Sequence, residues 1–209
     1  MSPSERAPGS TTRPGVVGVV PASGASSRMG RPKGLLRLDG RTFTRRVVEA
    51  LVEGGCDRVL VVVRAGDEAI AGEARTAGAT VLENPDPGDG PITSLRLALT
   101  HLTNDVGWVV WLPLDHPKVQ PGTVRALIEA KPPVLALPVH RGQRGHPAVF
   151  GRAVFAELLD PDLAGGARTV VHRHLDAGTA LLLETDDPGV LVDVDTPEEY
   201  EALVRDDAR

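Results

Sequence analysis

The sequence repeatedly gathers short runs that are apolar at nearly every position: Gly15-Val-Val-Gly-Val-Val20, Arg58-Val-Leu-Val-Val-Val63, Trp108-Val-Val-Trp-Leu-Pro-Leu114 and Val134-Leu-Ala-Leu-Pro-Val139. Such runs lack the polar alternation of a half-exposed strand, so they suit strands covered on both faces, as in a parallel sheet. Helical spacing fills the intervals. Phe43, Val47, Val48 and Leu51 recur on one helix face, as do Val124, Leu127 and Ile128 behind Pro121 at a first helical position, and a small-residue helix is expected over about 67–77 before a strand at 80–83. This alternation predicts an α/β chain with a doubly wound, mostly parallel sheet in three αβα layers and right-handed crossovers.

Several finer expectations follow along the chain. Residues 35–40 read as an extended segment and turn. Thr93 or Ser94 is a candidate cap for the helix carrying Leu95, Leu97, Ala98 and Leu102. Helices are expected near 153–159 and 167–175 and strands near 180–183 and over 189–195. Then Thr196 caps a helix with Pro197 at its first position and Glu199 completing a capping box.

A chain of 209 residues with 41% hydrophobic content can bury one sizeable core, so a single domain is expected over 15–209, behind a disordered tail at 1–14 rich in Ser, Pro, Thr and Arg with no hydrophobic centre. The formal charge is −5 with both signs interspersed, which gives no footprint for nucleic acid or a membrane surface. No apolar run approaches the ~20 residues of a membrane helix. Cys56 is the only cysteine and cannot form an internal disulfide, which fits a reducing cytoplasm.

The first apolar run breaks into Pro21-Ala-Ser-Gly-Ala-Ser-Ser-Arg-Met-Gly-Arg-Pro-Lys33. Gly24 and Gly30 can adopt backbone angles closed to other residues, and Ala22, Ser23 and Ser26 leave room for a ligand against the main chain. Arg28 and Lys33 supply cations, one a planar fork and the other a mobile point charge. A polyphosphate is the natural guest. The alternative is a Gly/Ser turn with surface cations. The loop is neither a Walker motif nor a Gly-x-Gly-x-x-Gly fingerprint, because Gly24 and Gly30 are separated by five residues and Lys33 follows only after Arg31 and Pro32.

In Ala22, Gly24, Ser26, Arg28, Met29, Gly30 and Lys33 the stretch resembles the signature of the MobA-like nucleotidyltransferases, with Ser23 replacing an alanine and Pro21 a leucine. The resemblance implies a Rossmann-like nucleotidyltransferase fold. Further motifs occur in the family's order: Asn84-Pro85 with Gly90, Ser94 and Leu95; Asp115 with Pro117; Arg144-Gly-His-Pro147; Gly166-Ala-Arg168; and Asp193-x-Asp-Thr-Pro-Glu198. These look like the molybdenum cofactor cytidylyltransferase branch. The guanylyl branch usually carries Met-Gly-Gly-x-Asp-Lys, one residue longer than Met29-Gly-Arg-Pro-Lys33.

Asp115 follows a buried strand, at the edge where open α/β sheets bind ligands. Alternation along the expected final strand puts Asp193 and Asp195 on one face. Asp115 and Asp193, with Asp195 as a further candidate, could hold a hard divalent ion such as Mg²⁺. Alternatively Asp195 merely precedes a cap and Asp193 solvates a strand end. The resemblance implies transfer of CMP from CTP to a phosphate-terminated molybdopterin cofactor with release of pyrophosphate, dependent on Mg²⁺ or Mn²⁺. It places Arg28, Lys33 and the loop residues Ala22, Ser23, Gly24, Ser26 and Gly30 around the phosphates, Gly90 and Ser94 at cytosine, and Arg144, Gly145, His146 and Arg168 toward the pterin. A molybdenum enzyme is the implied client.

The attacking phosphate oxygen is already ionised, so no general base is needed, and charge repulsion is the main obstacle. Other readings are transfer to a sugar phosphate or methylerythritol phosphate, and a non-catalytic molybdopterin chaperone. His140, His146, His172 and His174 have no zinc-ligand spacing. Trp108 and Trp111 belong to the core.

Overall fold

The structure is a computed structural model that describes residues 13–88 and 90–207. At its centre lies β1 (Gly15–Ala22), with β4 (Arg58–Arg64) parallel on one side and β6 (Val106–Trp111) parallel on the other. β5 (Thr80–Asn84) extends the sheet beyond β4. Beyond β6 come β9 (Ala148–Gly151), antiparallel to it, then β7 (Leu135–His140) and, at the edge, β10 (Ala180–Glu184), parallel to β7. A short β8 (Gln143–Arg144) folds back on β7. The order is β5-β4-β1-β6-β9-β7-β10, so the sheet is mixed but mostly parallel.

Both sheet faces are buried, as the unbroken apolar runs require. On one face Val16, Val20, Val59, Val61 and Val63 meet α1 (Phe43–Glu53), α2 (Glu68–Thr76) and α4 (Pro121–Glu129). On the other, Val17, Val19, Leu60 and Val62 meet α3 (Pro91–Thr100), α5 (Phe155–Leu159) and α6 (Ala167–Asp176). Each buried side chain of this size contributes roughly 1.5–3 kcal/mol. Gly18 lets α1 approach β1 closely, since a Cβ there would lie 3.0 Å from Leu51 Cδ1.

The topology also fixes where a ligand can sit. From β1 the chain steps outward through α1, β4 and α2 to β5, and α3 then carries it back past β1 to β6. The winding reverses between β1 and β6. Loops leaving the carboxyl ends of those two strands therefore diverge and leave a crevice. The Gly/Ser loop follows β1, and Leu112 to Asp115 follow β6.

Some local expectations are corrected. Residues 189–195 form no strand: Pro188–Leu191 is a 3-10 turn, and the chain then runs extended, with one backbone bond to a neighbouring segment, Val194 N–H to Asp115 O at 3.0 Å. The turn wins because the buried Asp187 carboxylate accepts from Gly189 N at 2.8 Å and from Gln120 N at 2.9 Å, and Pro188 suits a first helical position. α3 begins at Pro91 behind Gly90, whose φ of 81° a glycine tolerates, so Thr93 and Ser94 lie inside the first turn instead of capping it. Residues 33–42 form a 3-10 turn (Lys33–Leu35) and a separate hairpin of β2 (Arg37–Leu38) and β3 (Arg41–Thr42). β6 ends at Trp111, because Pro113 lacks the N–H to continue it. Of the tail expected over 1–14, residues 1–12 lie outside the described residues, while Arg13 pairs with Asp57 at 2.5 Å. Asp89 and residues 208–209 are likewise outside them.

Candidate active site

The Gly/Ser loop is built to expose its small residues while anchoring one large one. Ser26 and Gly30 take positive φ values of 48° and 68°, and Ser26 O accepts from Met29 N and Gly30 N, each at 3.1 Å. That turn drives the Met29 side chain into a small core with Leu36, Leu38, Phe43 and Val194. Lys33 N donates to Ser26 Oγ at 3.2 Å, tying the loop's end to its middle. Beside Gly24 the space is open, with nothing within 4 Å of where a Cβ would lie. Ala22, Ser23, Gly24, Ser26, Arg28 and Lys33 line a cavity of about 530 Å³.

Two expected nucleotide residues do not line this cavity. Ser94 is fully buried; its hydroxyl lies 2.8 Å from Ser23 Oγ and accepts from Asn84 Nδ2 at 3.3 Å, so Ser94 supports the loop from behind. Gly30 shapes the turn. Gly90 does line the cavity, as the loop from β5 to α3 forms its far wall.

The acidic residues meet the loop from below. Asp115, four residues beyond the end of β6, lies with His116 and Asp193 so that one donor atom from each falls within 4.8 Å of the others. His116 Nδ1 is 2.8 Å from Asp115 Oδ1. Burial pushes the Asp115 carboxyl up, but the His116 ring bonded to it, together with Lys33, outweighs burial and holds the group below its ordinary value. Asp193 is shifted upward, first by burial and then by the charge of Asp115. Two oxygens and an imidazole nitrogen at this separation fit a divalent cation such as magnesium or manganese. Asp195 stands outside this group: it bridges Arg28 Nη1 at 2.5 Å and Lys33 Nζ, while Asp115 Oδ2 lies 3.6 Å from Lys33 Nζ.

Asp193 and Asp195 both face the cavity although no sheet alternation puts them there. Val194 between them is buried against Met29, Leu36, Leu38 and Phe43, and Val192 packs on the same cluster. The helix that follows, α7 (Pro197–Asp207), opens on the expected capping box: Glu199 Oε2 accepts from Asp195 N at 2.7 Å and Thr196 N at 2.9 Å, and Thr196 Oγ1 accepts from Glu199 N at 3.3 Å.

A second cavity, of about 820 Å³, adjoins the first and shares Pro91, Trp111 and His146 with it. Arg144, Gly145, His146 and Arg168 all line it, over walls that include Leu137, Phe150 and Leu163. Gly145 is required by packing, since a Cβ there would collide with the carbonyl of Val190. His146 N donates to that same carbonyl at 2.9 Å. Burial, and then the neighbouring His116, push His146 down to about 4, so it is neutral at pH 7. Its ring lies against His116 with centroids 4.5 Å apart.

The sequence reading gave no role to His116 and left Trp111 wholly in the core. The first had a usable signal in the Asp115-His116 pair after a strand end. Trp111 is indeed buried, at 6% exposure, but one edge forms the wall between the cavities, which only β6 and β9 pairing determines.

Residues 18–178 match the MobA-like NTP transferase domain. The chain is 30% identical to the nicotine blue oxidoreductase of Paenarthrobacter nicotinovorans over 207 residues, covering 94% of this chain and 100% of that protein. It is 23% identical to the molybdenum cofactor cytidylyltransferase of Escherichia coli (strain K12), covering 87% and 92%, and 29% identical to the molybdenum cofactor guanylyltransferase of Yersinia pestis (strain Pestoides F), covering 76% and 80%. Among solved structures, Rv0371c of Mycobacterium tuberculosis H37Rv superposes with a TM-score of 0.79 at 28% identity, covering 93% of this chain and 100% of that one. A complex of Rv0371C with manganese superposes at 0.72 with 24% identity, covering 91% and 98%. A phosphate-type loop at the switch point, a carboxylate cluster beneath it and a match running through most of the sheet converge on one assignment: the chain belongs to the MobA-like NTP transferase family and is a nucleotidyltransferase.

Proposed function

We propose that this nucleotidyltransferase moves CMP from CTP to a phosphate-terminated molybdopterin cofactor and releases pyrophosphate. The observation that carries the reading is the pair of adjoining cavities, one lined by the Gly/Ser loop and its cations and the other broad and largely apolar, with Asp115, His116 and Asp193 lining the first beside the residues they share. Two substrates seated in them would bring a phosphate of one to a phosphate of the other at that boundary. Asp115 and Asp193, with His116, would hold a magnesium or manganese ion there. When bound, such an ion neutralises phosphate charge.

The chain's own groups account for the rest. Loop N–H groups between Ser23 and Arg28 orient the triphosphate, and Arg28 and Lys33 take up charge on the α-phosphate and the departing pyrophosphate. The acceptor phosphate needs no base, so positioning dominates catalysis. Arg144 and Arg168 would meet the polar groups of the acceptor, and Trp111 and Phe150 its flat ring face. The client is a molybdenum enzyme of the cytoplasm.

CTP preference is supported by the short Met29 to Lys33 spacing and by a 23% identical cytidylyltransferase relative. A guanylyl reading is favoured instead by the 29% identity to a guanylyltransferase. Titration of CTP, GTP, ATP and UTP with Mg²⁺, followed by pyrophosphate release with molybdopterin, separates them: CTP should bind most tightly and support release. Tightest binding by GTP would replace the cytidylyl reading with the guanylyl one, and release only with a sugar phosphate or methylerythritol phosphate would replace the acceptor.

A further inference from the structure

Ala22 at the end of β1 is in register with Val63 of β4, so Ser23 and Arg64 come next side by side. There Arg64 Nη2 donates to Ser23 O at 3.3 Å. The Ser23 side chain is engaged as well, its hydroxyl 2.8 Å from Ser94 Oγ. Arg64 does not line the nucleotide cavity, so it grips the start of the Gly/Ser loop from outside that cavity.

Ser23 O belongs to the same peptide unit as the Gly24 N–H. In a planar trans peptide these two groups point in opposite directions, so a carbonyl turned to Arg64 turns the Gly24 N–H the other way. Gly24 lines the cavity, and among the described residues its N–H has no protein acceptor. Nothing within the loop enforces that orientation. Gly24 has no Cβ, and the space where one would lie is open, so this peptide can rotate at little steric cost. The bond from Arg64 opposes the rotation, and a charged donor makes it stronger than a neutral one would be.

We propose that Arg64 is a positioning residue that sets the Ser23–Gly24 peptide so that the Gly24 N–H is presented to the bound nucleotide. This rests on the nucleotide reading of the cavity. Arg64 itself touches no ligand; it acts through one peptide unit, which becomes a donor oriented before the nucleotide arrives. None of the loop's own residues supplies this control. It comes from the last residue of the neighbouring strand.

The test is calorimetric titration with Mg²⁺ and CTP or GTP, whichever the natural protein binds more tightly, which needs neither acceptor nor turnover. Arg64→Ala should weaken binding about tenfold, the worth of roughly one hydrogen bond. Arg64→Lys, which keeps a charged donor, should recover most of that loss. Arg64 is exposed, so an effect exerted only by attracting phosphate would fade at high salt, whereas the positioning effect should persist. In nuclear magnetic resonance spectra of the natural protein, the Gly24 amide should be among the signals that shift most when nucleotide is added. In ligand-free Arg64→Ala that signal should broaden as the peptide samples both orientations. Unchanged affinity in Arg64→Ala, a loss that disappears at high salt, or a Gly24 amide indifferent to bound nucleotide overturns the inference and leaves the nucleotide reading intact. If the natural protein binds neither CTP nor GTP, the nucleotide reading fails and this inference with it.

Discussion

Lys33 reaches the cavity from the end of the loop, mostly shielded from solvent and between Asp195 and Asp115. Charge on the departing pyrophosphate grows toward the transition state, so Lys33→Ala should lower kcat by about a hundredfold, about 3 kcal/mol, as for loss of one preorganised donor. Nucleotide affinity should change far less. Steady-state kinetics beside equilibrium binding separate the two, and unchanged kcat would remove the lysine from the chemistry. Cys56 offers a contrast. Burial, and then the charge of Asp57, push its thiol up to about 12. Its folded pKa is raised, so the stability it contributes is intact below the ordinary thiol pKa near 9 and is lost as pH climbs from there toward 12. At pH 8 the native thiol should react with a disulfide reagent only as fast as the protein unfolds; rapid labelling of the native protein would contradict its burial.

Among the elements, those whose determinants are contiguous in sequence were legible and those set by remote partners were not. The Gly/Ser loop, the α7 capping box and the fully apolar β1 and β4 each carry their cause within a few residues. By contrast, Val192 to Asp195 has the composition of a strand but finds no sheet edge to join, since Asp187 first closes a 3-10 turn against Gln120. Asp193 and Asp195 reach the cavity as expected, but side-chain packing puts them there in place of pleating. The resemblance placed Ser94 at cytosine, and nothing local reveals that its hydroxyl would instead be buried against Ser23. Val194→Ala should therefore cost roughly 2 kcal/mol of stability from buried methyl groups. It should also weaken Mn²⁺ binding, because that packing helps hold the segment carrying Asp193. Urea unfolding and Mn²⁺ titration report the two effects, and lost stability with unaltered metal affinity would show that Asp193 is positioned by something else.

Over the whole molecule, the site exists only because the fold brings Asp115, four residues beyond β6, to Asp193 in the extended segment before α7, beneath a loop that follows β1. If both act through one ion, as proposed, Asp115→Ala and Asp193→Ala should each abolish most metal-dependent turnover, and the double variant should be little worse than either. Additive losses would mean separate roles. Metal affinity should then rise when CTP is added, since substrate phosphates would complete a shell that Asp115, His116 and Asp193 would leave largely open. The central claim is transfer of a nucleotidyl group across the boundary between the two cavities, and labelled CTP tests it most directly. With molybdopterin cofactor and Mg²⁺, phosphorus label at the α position should appear in the cofactor product and label at the γ position in pyrophosphate, in equal amounts. Release of γ-label with no α-label in the cofactor, or no release from any nucleotide, would contradict it.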